Sequence, residues 1–306
     1  MDTAQLAAFV AVVDVGSFTR AAARLDVSQP TVTTRIQALE QAVGARLLER
    51  LPRGVKLTPA GADLLPYARD IITLTEHARQ AVISGGQPHG TLEVGTVESL
   101  TTYRLLPLVE YLYLRYPNLR ISMRSSACGE TIAKVREGRL DCAFFVDSTV
   151  ARPDLETTVL CREPLVLVGA PDHLLVGRAA VADDELLNAT LIRADNGADY
   201  HQRFERIIGL GVVDDGPRIF ELDSITAAKR SVANGLGMAL LPAVAVRDEL
   251  ANGTLCRIDW APPFEVYTQV AWRRGVRSTA VRALVDAATQ VIEDQVTEEE
   301  RAGAEP

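Results

Sequence analysis

The segment "SQPTVTTR", residues 28 to 35, carries Gln29, Thr31, Thr33, Thr34 and Arg35 within seven positions. These are the side chains that read a DNA duplex. A glutamine amide matches adenine bidentately, arginine matches guanine or a phosphate, and threonine reaches phosphates or thymine methyls. A plain solvated helix face would more usually carry Lys and Glu pairs than clustered threonines. No reacting constellation accompanies them. The four histidines (His77, His89, His173, His201) have no nucleophile motif beside them. There is no P-loop, no GxGxxG after a strand and no metal-ligand spacing, so neither an enzyme nor a cofactor is expected.

These side chains need a helix presented at a surface. Leu6, Phe9, Val10 and Val13 recur at helical spacing, and Gly16 closes that helix. Ser17 can cap a second helix with Phe18, Ala21, Ala22 and Leu25 as its inner stripe. After a turn at Asp26 and Val27, Ser28 caps a third, with Pro30 in its first turn. Val32, Ile36 and Leu39 face inward, which leaves Ser28, Gln29, Pro30, Thr31, Thr33, Thr34 and Arg35 outward. Two short helices around a tight turn form a helix-turn-helix, whose second helix leads into the major groove. Phe18 and Thr19, at the start of the preceding helix, complete the expected DNA-facing set. A hairpin pairing residues 47 to 50 with 55 to 58 around "PRG" would be a wing, with Arg53 at its tip on the backbone or minor groove.

The charge distribution agrees. The first sixty residues hold seven basic and five acidic residues, whereas the 306-residue chain carries net charge −8. A basic front end on an acidic body suits a polyanion-facing module. Four scattered cysteines point to a reducing cytoplasm. No basic n-region opens the chain and no long apolar run crosses it, so neither export nor a membrane is expected.

Thr58 caps a long helix running to about residue 83. Its stripe Leu64, Leu65, Ala68, Ile71, Ile72, Thr75, Ala78 and Val82 is expected to bury against a second chain, with Pro66 bending it. "SGGQPHG" (84 to 90) reads as a linker. Strands "TLEVGTV", "LRISMRS" and "LDCAFFV" then alternate with helices, and a second set follows from "EPLVLVGA" to "GMALLP". That alternation specifies an α/β fold with mainly parallel sheets. "VYTQVAWR" and an amphipathic helix over 276 to 292 follow, and 294 to 306 reads as a frayed acidic tail.

At this point the chain resembles the LysR-type bacterial transcription regulators. The resembling residues are "LAAFVAVVDVGSFTRAAARLDVSQPTVTTRIQALEQAVGARLLER", "LTPAG", "GRLDCAFF" and "GLGMALLP", within about residues 1 to 293. Leu48 departs from the family's usual aromatic residue. The resemblance implies a winged helix-turn-helix over 1 to 58 and a dimerising linker helix and hinge over 59 to 90. It implies a two-lobed effector domain like a periplasmic binding protein over 91 to 293. Lobe one would hold 91 to 160 and 269 to 293, and lobe two 161 to 268. It further implies a double-stranded operator, a small-molecule effector between the lobes and a homotetramer built as a dimer of dimers. RNA polymerase stays open as a further partner.

Ligands of open α/β sheets bind beyond the strand C-termini, on helix starts. This picks out Glu98, Ser99, Leu100 and Thr101, then Ser126 and Cys128, with Asp195, Asn196 and Ser224 facing them. Ser99 and Thr101 resemble the family's ligand-contacting hydroxyls. Each residue could equally cap its helix. The carboxylates Glu98, Asp195, Asp199 and Asp223 leave two readings: they cap helices, or the ligand carries a positive or polar group. Cys128, at a helix start, is either a packed thiol or a redox sensor, and Cys142 is expected buried.

Overall fold

The computed structural model describes residues 1–51, 54–83, 87–194, 199–210, 218–275 and 278–304. They fall into two compact units, one holding residues 1–87 and the other most of the rest.

In the first unit, α1 (Thr3–Val15), α2 (Phe18–Arg24) and α3 (Gln29–Val43) pack around Leu6, Phe9, Val12, Ala21, Val32, Ile36 and Leu39. Strands β1 (Leu48–Leu51) and β2 (Gly54–Leu57) pair antiparallel, one residue later than the spacing suggested for β1. Helix α4 (Pro59–Ile83) follows, with Thr58 accepting from the Gly61 amide at 3.0 Å. A Cβ on Gly61 would lie 2.1 Å from the Leu47 carbonyl oxygen, so only glycine allows this close approach.

The stripe on α4 requires a correction. Leu64, Leu65 and Ile72 pack on the unit's own core, with Ala68 buried beside them. They cover α1, where Arg69 also holds Asp14 at 2.6 Å. The apolar residues left outward are Tyr67, Ile71, Leu74 and Val82, spaced as one helix face. A neighbouring helix supplied the core that the sequence reading lacked.

In the second unit, lobe one starts with β3 (Gly90–Thr96), α5 (Glu98–Tyr103), α6 (Leu106–Arg115), β4 (Leu119–Ser125), α7 (Cys128–Arg136), β5 (Cys142–Asp147) and β6 (Leu155–Arg162). Lobe two holds β7 (Leu165–Gly169), α8 (Asp183–Leu186), β8 (Leu191–Arg193), α9 (Asp199–Ile207), β9 (Ile219–Glu221) and α10 (Ile225–Ala233). It continues with β10 (Ala239–Pro242), a 3-10 turn at Ala243–Val246, α11 (Arg247–Ala251) and β11 (Cys256–Arg257). The chain returns along β12 (Tyr267–Arg273) and ends in α12 (Thr279–Ala304).

Among the described residues, lobe one has a sheet of order β4-β3-β5-β12-β6. The β-α-β alternation makes β3 parallel to β4 and β5, while the returning β12 lies antiparallel to β5 and β6. In lobe two β10 and β11 flank β7 antiparallel, and β8 runs parallel to β9. Strand β5 is buried along its whole length, as expected of a central strand. Gly237 of "GLGMALLP" sits at φ 156°, where a Cβ would lie 2.2 Å from the Thr190 carbonyl oxygen.

Residues 294–304 are also corrected: they continue α12 rather than fray. Glu299 pairs with Arg104 at 2.5 Å and with Arg247 at 2.6 Å, and Gln295 donates to the Arg104 carbonyl at 3.1 Å. Composition read this stretch as an acidic tail, because its partners lie far away in sequence.

Candidate DNA interface and effector cleft

Helix α3 is prepared at its N-terminus. The Ser28 hydroxyl accepts from the Thr31 amide and lies 2.7 Å from the Thr31 hydroxyl. Gln29 donates to Thr33 at 3.0 Å, and Thr34 donates to the Pro30 carbonyl at 3.0 Å. Ser28, Gln29, Pro30 and Thr34 are exposed, whereas Thr31, Thr33 and Arg35 are half-buried. The opposite face is anchored by Val32, Ile36 and Leu39. On α2, Thr19 is exposed and Phe18 half-buried, with the Arg50 guanidinium 4.4 Å from the centre of its ring. Glu40 accepts from the Leu47 amide at 2.8 Å and the Leu48 amide at 3.3 Å, which ties the wing to the end of α3. A groove between α3 and the wing is lined by Phe18, Thr33, Gln37, Arg46 and Arg50. Arg50 was absent from the sequence-based set, although its basic charge beside "PRG" was the available signal. Arg53 lies outside the described residues.

The residues expected to meet an effector lie on both lobes of the second unit. Ser99 is 1% exposed on the first turn of α5. Thr101, half-buried, donates to the Val97 carbonyl at 3.1 Å and lies 3.3 Å from the Thr96 hydroxyl. Leu100 is buried in the main core on the inward face of α5, which corrects its expected place at an effector. Ser126 hydrogen-bonds Thr131 at 2.7 Å and receives Lys134 at 3.4 Å. Cys128 packs among Ile132, Val135 and Leu140. Ser224 caps α10 by accepting from the Ala227 amide. Asp195 and Asn196 lie outside the described residues.

Glu98 resolves one of the two readings left open. Its carboxylate crosses from lobe one to the start of α10, accepting from the Ile225 amide at 2.5 Å and the Ser224 hydroxyl at 3.3 Å. It therefore caps a helix, and that helix belongs to the other lobe.

A cluster that the sequence reading missed lies at the end of β5. Asp147 is 4% exposed, holds Arg152 at 2.5 Å and lies 3.8 Å from Arg203 of α9. Partial desolvation and the neighbouring Asp147 hold the Asp199 carboxyl above its usual range. Gln269 donates to the Asp147 and Ser148 carbonyls at 2.9 and 3.1 Å. The position of Asp147 at a strand C-terminus was the signal. Deeper still, Arg104 forks onto Glu163 with two 3.0 Å bonds, and Thr268 donates to Glu163 at 2.9 Å. Glu163 follows β6 and Thr268 lies on β12, so this pair joins both crossings between the lobes.

Two of the four thiols, Cys142 and Cys161, are poorly suited to redox sensing. Burial pushes the Cys142 thiol well up, and burial with Glu163 nearby pushes Cys161 up to about 11. Neutral thiols are weak nucleophiles. Buried His201 is pushed down to about 4 by desolvation, and its Nε2 lies 2.5 Å from the Ala194 carbonyl oxygen.

Among the described residues no single helix is long and apolar enough to cross a membrane. A basic-fronted winged helix-turn-helix followed by a two-lobed α/β unit defines a ligand-responsive class of bacterial DNA-binding regulator. Comparison with known proteins gives the family. Residues 3–62 match the bacterial regulatory helix-turn-helix protein model of the lysR family, and residues 85–293 match the LysR substrate binding domain. The chain belongs to the LysR family of transcriptional regulators, with a helix-turn-helix DNA-binding domain and an effector-binding domain. It is 32% identical over 290 residues to the HTH-type transcriptional regulator YwqM of Bacillus subtilis, covering 94% of this chain and 98% of that one. It is 31% identical over 249 residues to the regulator CzcR of Bacillus thuringiensis, covering 80% and 82%. Its fold is similar to a full-length OxyR from Pseudomonas aeruginosa, with TM-score 0.74, 23% identity and 95% and 94% coverage. ArgP of Mycobacterium tuberculosis gives 0.72, 21%, and 95% and 97%.

Proposed function

We propose that this regulator works in the cytoplasm as a homo-oligomer, a dimer of dimers, on a double-stranded operator. Gln29 reads a base and the neighbouring threonines and Arg35 hold the backbone. The domains divide at about residues 58 and 90. Tyr67, Ile71 and Leu74 of α4 meet a second chain, and bound DNA is offered to RNA polymerase. A small effector enters between the lobes and touches Ser99, Thr101, Ser126 and Ser224. Ligand acts by binding one lobe arrangement better than another. No catalytic step is assigned.

The observation that carries this reading is α3: capped by Ser28, buried beneath and polar above at its leading turn. The test is retardation of DNA from upstream of its own gene. Gln29→Ala should cost about 1–3 kcal/mol on the operator and leave random DNA unaffected. Equal weakening of both would remove the base-reading role. Ser99→Ala with Thr101→Val should keep operator occupancy and lose the effector-dependent footprint.

A further inference from the structure

Helix α9 has two working faces. Tyr200, His201 and Phe204 are buried on one. Arg203, Arg206 and Ile207 fall together on another, at the spacing of helix neighbours. With Phe264, from the segment between β11 and β12, they line a pocket of about 400 Å³, the size of a small-ligand site.

Both guanidiniums keep donors to spare. Arg203 donates through Nη2 to the Ser148 hydroxyl, and its Cζ lies 6.0 Å from the Phe264 ring centre. Asp147 lies 3.8 Å from it but is held more closely by Arg152, at 2.5 Å. Arg206 donates through Nε to the Gln202 carbonyl at 3.2 Å, and among the described residues no carboxylate pairs with it. Asp199 faces Asp147, Arg152 and Arg203, so two carboxylates meet two guanidiniums there and Arg206 stands in excess. Glu265, beside Phe264, is taken by Arg162 at 3.1 Å and by the Tyr267 hydroxyl at 2.7 Å. The pocket is therefore cationic on one wall and apolar on the other.

We propose that this pocket binds an organic carboxylate with an apolar body: Arg203 and Arg206 take the carboxylate, and Ile207 and Phe264 take the body. Guanidinium forks match the two oxygens of a carboxylate. The aromatic and branched side chains offer apolar surface that a bare inorganic anion would leave uncovered. None of these four residues is assigned to the effector above, so the site stands without that reading. Arg203 also holds Ser148, just after β5 of lobe one, so a carboxylate drawn onto Arg203 bears on a bond between the lobes.

The test is isothermal titration of the full-length protein, without DNA, with phenylacetate and isovalerate at constant ionic strength. Saturable binding of at least one is expected. Phenylacetamide lacks the charge, and acetate and inorganic phosphate lack the apolar body. Each should bind about tenfold more weakly or worse. Arg206→Glu should abolish binding and leave the unliganded melting temperature close to wild type, because the side chain is exposed. Arg203→Lys keeps the charge and loses the fork, so it should weaken binding about tenfold. Phe264→Leu should narrow the gap between phenylacetate and acetate. The proposal is overturned if neither acid binds the wild type, if Arg206→Glu binds as the wild type does, or if inorganic phosphate binds as tightly. Binding that survives in Arg206→Glu and disappears in the Ser99→Ala, Thr101→Val protein would place the carboxylate elsewhere, overturning the proposal and sparing the reading of Ser99 and Thr101.

Discussion

The DNA-facing surface and the effector cleft are built in opposite ways. On α3 the polar groups face solvent and bond within one turn, as Gln29 does with Thr33 and Thr34 with Pro30. They are held ready and can exchange those bonds for DNA at little cost. Between the lobes the polar groups are buried or half-buried and bonded across the fold: Glu98 to Ile225, Arg104 to Glu163, Gln269 to Asp147. The first site is a presented surface. The second is a set of existing bonds, which a ligand bound there would have to replace or reinforce.

Glu163→Ala should have the largest effect, because Arg104, which is 1% exposed, loses the carboxylate it forks onto and keeps only Glu299. Losing one partner of a buried pair costs about 3–5 kcal/mol. Urea unfolding of the full chain should show that loss, and a cost near zero would mean the cleft is not held by its buried pairs.

Next comes Ile71→Asp on the outward face of α4. If that face meets a second chain, a charge there should lower the oligomer mass in light scattering, since burying it unpaired is unfavourable. Unchanged mass would place the dimer contact elsewhere, while the winged unit, whose core uses Leu64, Leu65 and Ile72, should still fold.

His201 tests the buried side through pH. Its folded value of about 4 lies below the ordinary 6.5, so the unfolded chain binds more protons between those values. Stability is full above about pH 6.5 and falls as pH drops through that window, by up to about 3 kcal/mol. His201→Gln should flatten the stability profile between pH 6.5 and 4; an unchanged slope would show that His201 is not its source.

The smallest effect is expected on the presented surface. Arg50→Ala should weaken operator and random DNA alike and lower the salt slope by about one. A loss confined to the operator would make Arg50 a base reader instead.

What the sequence by itself determined is what lies within a few residues along the chain. Ser28 and Pro30 start α3, the spacing of Val32, Ile36 and Leu39 selects its outer face, and the β-α-β rhythm sets the parallel strands of lobe one. These follow from capping, periodicity and backbone sterics, which act locally. Tertiary structure alone decided where chemically similar residues go. It turned Leu64 and Ile72 inward and left Tyr67, Ile71 and Leu74 outward. It took Leu100 into the core and drew Gln295 and Glu299 onto Arg104, with Glu299 also on Arg247. It also sent Glu98 across the cleft to an amide 127 positions away. Periodicity marks a residue as apolar or charged, whereas the partner that satisfies it is chosen by packing between segments far apart in the chain.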